Sequence, residues 1–470
     1  MIEYELPTEK RLKLAAGIPI AKGMFHVLPR LSDKFVISLT RKLYGKNQFP
    51  AGQEFLEKAI SMLGLILRRA NPNARRAIIN NMFINEGIKG QAIRKAVSQK
   101  LGFDIPVLIV VSPTQRCPLR CYGCYAAEEP KDGDLSYERF DRLIEEAKEM
   151  GIYFFVITGG EPYVYDHMFD LFEKHSDAYF QTYTSGVTLA EREGDVERLA
   201  KLGNVLPCIS IEGFEEATDK RRGKGHFQRI LKAMRMLKEA GVPFGFSGTV
   251  TRENNDELLS EKLIDFYIEQ GCLVGYLFQY MPIGRAPVFD LVPTPEQRVR
   301  RYERVIELRR KKPILLADFW CDGPLVGGCL AGGRRYLHVN SKGHVEPCVF
   351  AQAWDMNIYE HSLLDILKNS RLFKAIRKRQ PYSENLLRPC MIIDVPECWR
   401  EAVEESGATY SYETADIVAK DLREKVERFS KEYASLVDPI WEEKYRDAYQ
   451  DYIERLKADR KKFEEKRLDS

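Results

Sequence analysis

Between Pro106 and Gly284 the sequence alternates short β-rich runs with amphipathic stretches of helical period, and this alternation limits the possible folds more than any other feature. The runs Val107–Val111, Tyr153–Thr158, Gln181–Thr184, Leu206–Ile211, Phe244–Val250 and Val274–Gln279 predict strands. Tyr137–Met150, His167–His175, Val196–Leu202, Phe227–Ala240 and Asp256–Gln270 predict the helices between them. Strands joined through helices pair in parallel, because antiparallel neighbours need only a short turn. The pattern therefore predicts an α/β fold of six β/α units, with the loops after the strands' carboxyl ends forming the ligand-binding face.

The flanks differ in texture. From Phe55 to Lys100 the sequence reads as helices, with Phe55, Ile60, Leu63 and Leu67 recurring near a 3.6 period and Arg68, Arg69, Arg75 and Arg76 following. Leu65 and Ile66 widen the apolar face, so this N-terminal extension either packs on the main domain or dips into a membrane surface. Residues 1–110 hold 18 Lys and Arg against 8 Asp and Glu, although the whole chain carries only +3. Such an excess attracts anionic head groups or phosphates, or is simply a solvated charged face. Beyond Gly284 come Pro287, Pro293 and Pro295, a predicted helix near Glu296–Arg310, and a Gly- and Cys-rich region from Cys321 to Cys398. Ser411–Ser470 contains no cysteine and mixes 14 basic with 16 acidic residues, which predicts solvated helices that cap or dimerise. The expected organisation is a basic helical extension over 1–105, a barrel over 106–284, a linker and helix over 285–320, a cysteine-rich domain over 321–400 and charged helices over 401–470.

With 470 residues, 44% of them hydrophobic, the chain can fill the cores of two or three domains. Charge-free stretches near its N-terminus, such as Leu14–Ala21 and Ala59–Leu67, fall well short of the roughly 20 residues that cross a bilayer. Met1–Leu6 carries Glu3 and Glu5 and lacks the basic-then-apolar layout of an export signal, so the expected location is cytoplasmic, peripheral at the membrane surface if the extension meets lipid. Ten cysteines, three of them within eight residues, suit thiolate ligands in a reducing compartment better than a disulfide framework. The basic N-terminus has no groove-reading motif, so no nucleic acid is expected.

Those three cysteines, in Cys117-Pro118-Leu119-Arg120-Cys121-Tyr122-Gly123-Cys124, follow the first predicted strand directly. Structural zinc sites and electron-transfer clusters are normally closed by four protein ligands, whereas three leave one iron open to a small molecule. S-adenosylmethionine (SAM) suits that iron through its amino and carboxylate groups. The competing readings are a zinc site completed by a distant residue and ordinary reduced cysteines. The Cys-x3-Cys-x2-Cys pattern after a first strand resembles the radical SAM superfamily, over about Pro106 to Gly284. The resemblance implies a partial (β/α)6 TIM-like barrel and a [4Fe–4S] cluster on Cys117, Cys121 and Cys124. It also implies reductive cleavage of SAM to a 5′-deoxyadenosyl radical that abstracts hydrogen from an unactivated C–H bond. A reduced ferredoxin or flavodoxin-like donor would supply the electron. One departure stands out: the family usually has an aromatic residue just before the third cysteine, whereas this chain has Gly123, which shifts the expected adenine contact to Tyr122 or Tyr125.

Further matches follow the later strands. Thr158-Gly159-Gly160-Glu161-Pro162 resembles the family's GGEP motif, in which glycines permit close backbone approach and Glu161 accepts from the SAM amine. Ser185, Ser210 and Glu212 match positions that contact SAM, and Arg222, with Arg221 as the competing choice, suits its carboxylate. Gln279–Arg285 resembles the family's exit into an auxiliary-cluster domain. Cys329, thirteen residues, Gly343, four residues and Cys348 then resemble the hairpin that opens SPASM or twitch domains, with a turn at Asn340-Ser341-Lys342-Gly343. This resemblance implies one auxiliary [4Fe–4S] cluster on Cys329, Cys348 and Cys390, with Cys398 or Cys321 fourth; a zinc knuckle is the competing reading. Cys208 and Cys272 sit in apolar strand contexts and read as core. The basic apolar extension points to a lipid or isoprenoid substrate and radical C–C bond formation, and the overall arrangement resembles radical SAM proteins implicated in tetraether or bridged membrane lipid synthesis. Modification of a peptide or protein side chain is the alternative, and an iron–sulfur electron-transfer or sensor protein a further one.

Overall fold

The computed structural model describes residues 50–129, 131–285 and 287–455, together with positions 18, 19, 23 and 458. The Met1–Leu6 segment, most of the Leu14–Ala21 run and the outer parts of the 1–105 and 401–470 regions lie outside the described residues.

The chain enters through α1 (Pro50–Arg69), continues through a π-wound stretch (Ile78–Gly90) and ends this extension with α2 (Gln91–Leu101). The β/α alternation then appears as expected: β1 (Leu108–Val111), α3 (Tyr137–Glu149), β2 (Phe154–Ile157), α4 (Met168–Lys174), β3 (Tyr179–Thr184), α5 (Asp195–Leu202) and β4 (Val205–Ile211). It goes on through α6 (Glu215–Arg222), α7 (His226–Glu239), β5 (Gly245–Val250), α8 (Glu261–Gln270) and β6 (Val274–Gln279). Two details depart from the periodicity. The single helix expected over Asp256–Gln270 is broken, because the Ser260 side chain caps α8 by accepting from the Leu263 N–H. The basic Lys220–Arg222 run, which carries no apolar period, forms the last turn of α6.

All six strands run parallel, and the sheet is longer than the alternation predicts. After α9 (Pro295–Lys311), β7 (Leu315–Asp318) adds parallel to β6, while β8 (Tyr336–Val339) adds parallel to β1 and β9 (Val345–Glu346) antiparallel to β8. The order is β7-β6-β5-β4-β3-β2-β1-β8-β9. Val110 pairs with Val156 on one side and with His338 on the other, so the cysteine-rich region contributes directly to the barrel wall. Ile109, Val111, Phe155, Ile157, Phe180 and Ile209 turn outward onto the buried faces of the helices, among them Phe140, Leu143 and Ile144 of α3.

The N-terminal extension spends its apolar face on the barrel. Leu63 and Leu67 of α1, with Ala74, Ile78 and Ile79, pack on Tyr179, Phe154 and Leu206 at the amino ends of β3, β2 and β4. Each fully buried leucine contributes about 1.5–3 kcal/mol. Asn71 fastens the same floor by donating from Nδ2 to the Ala200 and Ala240 carbonyls at 3.2 and 3.0 Å. Of the two readings of this helix, packing on the main domain is the one realised. No helix among the described residues is long and apolar enough to cross a membrane.

Downstream, α10 (Pro396–Ser406) and α11 (Arg423–Lys444) enclose a second core. Phe429, Tyr433, Val437 and Trp441 of α11 meet Tyr302, Trp320, Ile393 and Trp399 there. The charged C-terminal helix thus caps the cysteine-rich region with one buried face, while its charges stay outside.

Candidate active site and cysteine-bearing loops

The cysteine loop leaves the end of β1 and is braced from below by the turn after β2. The Thr158, Gly160 and Glu161 N–H groups donate to the Val111, Thr114 and Arg116 carbonyls, each at 2.9 Å. Such contact needs bare backbone: a Cβ on Gly160 would stand 2.2 Å from the Arg116 carbonyl oxygen, and Gly159 has φ +107°. Pro162 begins a short 3₁₀ turn that Glu161 caps, accepting from the Tyr163 N–H.

Glu161 is fully buried. It accepts from the Thr184 hydroxyl at 2.7 Å and from the Ser185 N–H and hydroxyl at 2.8 and 2.5 Å, so two of the predicted residues, Glu161 and Ser185, meet at the mouths of β2 and β3. Its carboxylate also bears on Cys117, whose thiol is pushed up to about 12 chiefly by burial and further by Glu161, Cys121 and Cys124. Burial likewise raises the Cys124 thiol, and the neighbouring Cys121 adds to it. All three are free thiols. Because each thiolate disfavours the others, a cation shared between them relieves both the burial and the mutual repulsion, which is the chemistry an iron cluster supplies. Among the described residues no three His, Cys, Asp or Glu side chains already form a closed metal cage.

At the mouths of β4 and β5 the Ser210 hydroxyl lies 3.3 Å from that of Ser247. Glu212 is 1% exposed and receives Arg222 through Nε at 2.9 Å and Nη2 at 2.6 Å, and Arg221 through Nη1, all on Oε1. Its Oε2 is buried without a hydrogen-bond partner. Arg222, expected to be free for a ligand carboxylate, is therefore already committed to Glu212; burial opposes its charge, and Glu212 with the Cys121 and Cys124 thiols outweighs that and raises it.

The tyrosines of the loop diverge. Tyr122 is 46% exposed, while Tyr125 is inserted between the loop and the rest of the barrel, its hydroxyl 2.8 Å from that of Thr158. The space beside Gly123 belongs to a residue sequence reasoning passed over: a Cβ there would meet Cε2 of Tyr280 at 2.8 Å, and Gly123 has φ +63°. Tyr280 was visible only as part of the Gln279–Arg285 exit from β6.

The second cysteine group gathers from distant segments. Cys348 follows β9, and the β8–β9 hairpin turns at Gly343, whose φ of +78° and contact with Asn357 require glycine. The Tyr336 hydroxyl donates to Cys348 Sγ at 2.9 Å, and the Ala331 and Ile392 N–H groups donate to Cys329 and Cys390 Sγ, each at 3.4 Å. Burial pushes Cys329 up to about 12, and Cys348 and Cys390 upward as well. Burial raises Tyr382 too, and the Cys329, Cys390 and Cys398 thiols add to it. Cys321 lies elsewhere, against Asp318, Arg301 and Arg298. Cys398, rather than Cys321, shares the surroundings of Tyr382 with Cys329 and Cys390.

The two cysteine groups share a boundary. Tyr125 meets Phe350 edge-on at 5.3 Å, and Phe350 meets Trp320 at 5.4 Å. Below the rings, Gln115 and Gln352 donate to opposite oxygens of buried Glu129 at 2.7 and 2.9 Å. Burial, with the Glu346 carboxylate facing it, raises Glu129 well above the usual carboxylate range. Cys208, in the middle of β4, and Cys272, just before β6, are fully buried, as expected of core residues.

Residues 111–261 match the model of the radical SAM superfamily, and residues 329–398 match that of an iron–sulfur cluster-binding domain, SPASM. An AdoMet-dependent heme synthase of Methanosarcina barkeri is 27% identical over 303 residues, which cover 58% of this chain and 85% of the relative. A PqqA peptide cyclase of Granulibacter bethesdensis is 28% identical over 291 residues, covering 58% and 76%. Streptococcus suis SuiB, solved bound to its precursor peptide SuiA, shares the fold with a TM-score of 0.52 at 20% identity, covering 63% of this chain and 72% of that one.

Proposed function

We propose that this chain, a radical SAM enzyme with a C-terminal SPASM iron–sulfur domain, modifies a side chain of a peptide or protein. Its cofactors are a SAM-binding [4Fe–4S] cluster, SAM itself and an auxiliary iron–sulfur cluster. The first cluster supplies one electron for the reductive cleavage of SAM. Cys117, Cys121 and Cys124 hold that cluster, a reading carried by the three mutually repelling free thiols on one loop at the mouth of β1. Glu161 and Ser185 receive the SAM amine, with Gly159, Gly160 and Pro162 fixing the turn that aims them. The unpartnered Oε2 of Glu212, beside Ser210, accepts from ribose hydroxyls, while Arg222 holds Glu212 in place. Tyr122 or Tyr125 borders the adenine. Cys329, Cys348, Cys390 and Cys398 hold the auxiliary cluster.

The peptide reading is favoured over the lipid one on two grounds. The PqqA cyclase and SuiB are named for peptide substrates. The apolar helical face that pointed to lipid is occupied by the barrel floor. Anaerobically reconstituted protein, given SAM and dithionite, should form 5′-deoxyadenosine faster when a host peptide fraction is added. Stimulation that protease treatment of the fraction abolishes supports the proposal; stimulation by a lipid extract alone would refute it.

A further inference from the structure

Every carbonyl of the last four residues of the cysteine loop is held by one of two arginines. The Arg285 side chain donates from Nη1 to the Cys121 carbonyl at 3.3 Å, and its backbone N–H donates to that of Cys124 at 3.0 Å. Arg221 donates from Nε to the Tyr122 carbonyl at 3.1 Å and from Nη2 to that of Gly123 at 3.4 Å. In return the Tyr122 N–H donates to the Arg221 carbonyl at 3.0 Å. The fit extends to the neighbours: a Cβ on Gly284 would stand 2.3 Å from the Cys124 carbonyl oxygen, and the Tyr280 ring fills the space beside Gly123. A loop of this kind has no secondary structure to satisfy its carbonyls, so without these donors its course would be set by water.

We infer that Arg221, from the end of α6, and Arg285, from the exit of β6, are positioning residues that clamp the 121–124 backbone and so fix where the open iron faces SAM. This inference rests on the proposal that Cys117, Cys121 and Cys124 hold the cluster. The two arginines act at backbone atoms, so they leave the ligand set unchanged. The Arg221 charge bears on the Cys124 thiol and the Arg285 guanidinium sits on the carbonyl of Cys121, and positive charge there favours the reduced, more negative form of a cluster. The role falls to arginine because one planar guanidinium can reach two adjacent carbonyls at once.

The test uses anaerobically reconstituted full-length protein, with iron content, SAM affinity and the midpoint potential of the SAM-responsive electron paramagnetic resonance signal as readouts. Arg285→Leu and Arg221→Leu should retain the iron of the unsubstituted protein, yet bind SAM about tenfold more weakly and reduce at a more negative potential. Arg285→Lys should restore the potential, since the charge is kept. If Arg221→Leu fails to fold through its contact with Glu212, Arg285→Leu, which leaves that ion pair alone, decides the matter. Unchanged SAM affinity and potential in Arg285→Leu would overturn the clamp. An unsubstituted protein without a SAM-responsive signal would instead overturn the assignment of the three cysteines, a distinguishable result.

Discussion

The two cysteine groups are assembled differently from the chain. The first puts three thiols on eight consecutive residues, and the surrounding fold holds the backbone between them through Arg221, Arg285 and the Gly159–Gly160 turn. The second takes Cys329, Cys348, Cys390 and Cys398 from segments up to seventy residues apart, and beside the backbone N–H donors that both groups have, Leu119 and Ala126 in the first and Ala331 and Ile392 in the second, it has a side-chain donor, the Tyr336 hydroxyl on Cys348. A loop whose backbone is fixed can leave one metal position open to a ligand that comes and goes. A set of four drawn from distant segments suits a cluster that stays closed and exchanges only electrons.

The largest expected effect separates the two groups outright. Replacing any of Cys117, Cys121 or Cys124 by Ala should abolish 5′-deoxyadenosine formation, whereas Cys348→Ala or Cys390→Ala should leave SAM cleavage detectable while product formation is lost; liquid chromatography of the nucleoside and mass spectrometry of the peptide read the two outcomes. The next attacks the scaffold of the second group alone. Arg298 is fully buried, pairs bidentately with Asp394, donates to the Trp320 carbonyl at 3.0 Å and lies over the Tyr433 ring, while Asp394 accepts from the Cys390 N–H at 2.9 Å. Arg298→Met strands that carboxylate and should cost about 3–5 kcal/mol in chemical denaturation, with auxiliary iron lost before the SAM-responsive cluster.

Gly160→Ala makes the complementary test on the first loop. The added methyl collides with the Arg116 carbonyl, so destabilisation by about 1–3 kcal/mol should accompany weakened SAM binding, with auxiliary iron retained. Tyr336→Phe is the mildest change. It removes one O–H···S hydrogen bond of about 0.5–1.5 kcal/mol, and it should shift the auxiliary potential while SAM affinity stays as it was.

What the sequence made legible follows the same division. Periodicity located all six barrel strands within a residue or two, because each is short, apolar and bounded by an amphipathic helix. The Cys-x3-Cys-x2-Cys spacing and the Gly159–Pro162 turn are local, so their neighbourhood could be read directly. The strand β7 was missed, and so was the pairing of β8 with β1: the Asn340–Gly343 turn marks the β8–β9 hairpin locally, but nothing in its residues shows that it joins the barrel sheet. Long-range choices were equally hidden. Nothing in the spacing distinguishes Cys398 from Cys321, and only the fold reveals that Cys321 is surrounded by Arg298, Arg301 and Asp318. The commitment of Arg222 to Glu212, and the ring of Tyr280 beside Gly123, likewise join residues that are distant in the chain or carry no pattern of their own.

The central claim is that the 117–124 loop carries a cluster with one iron open to SAM, independently of the second group. A variant with Cys329, Cys348, Cys390 and Cys398 all replaced by Ala tests it, by electron paramagnetic resonance of the dithionite-reduced protein before and after SAM. The account predicts a [4Fe–4S] signal whose shape changes when SAM is added. Zinc in place of iron, or a signal indifferent to SAM, would contradict it.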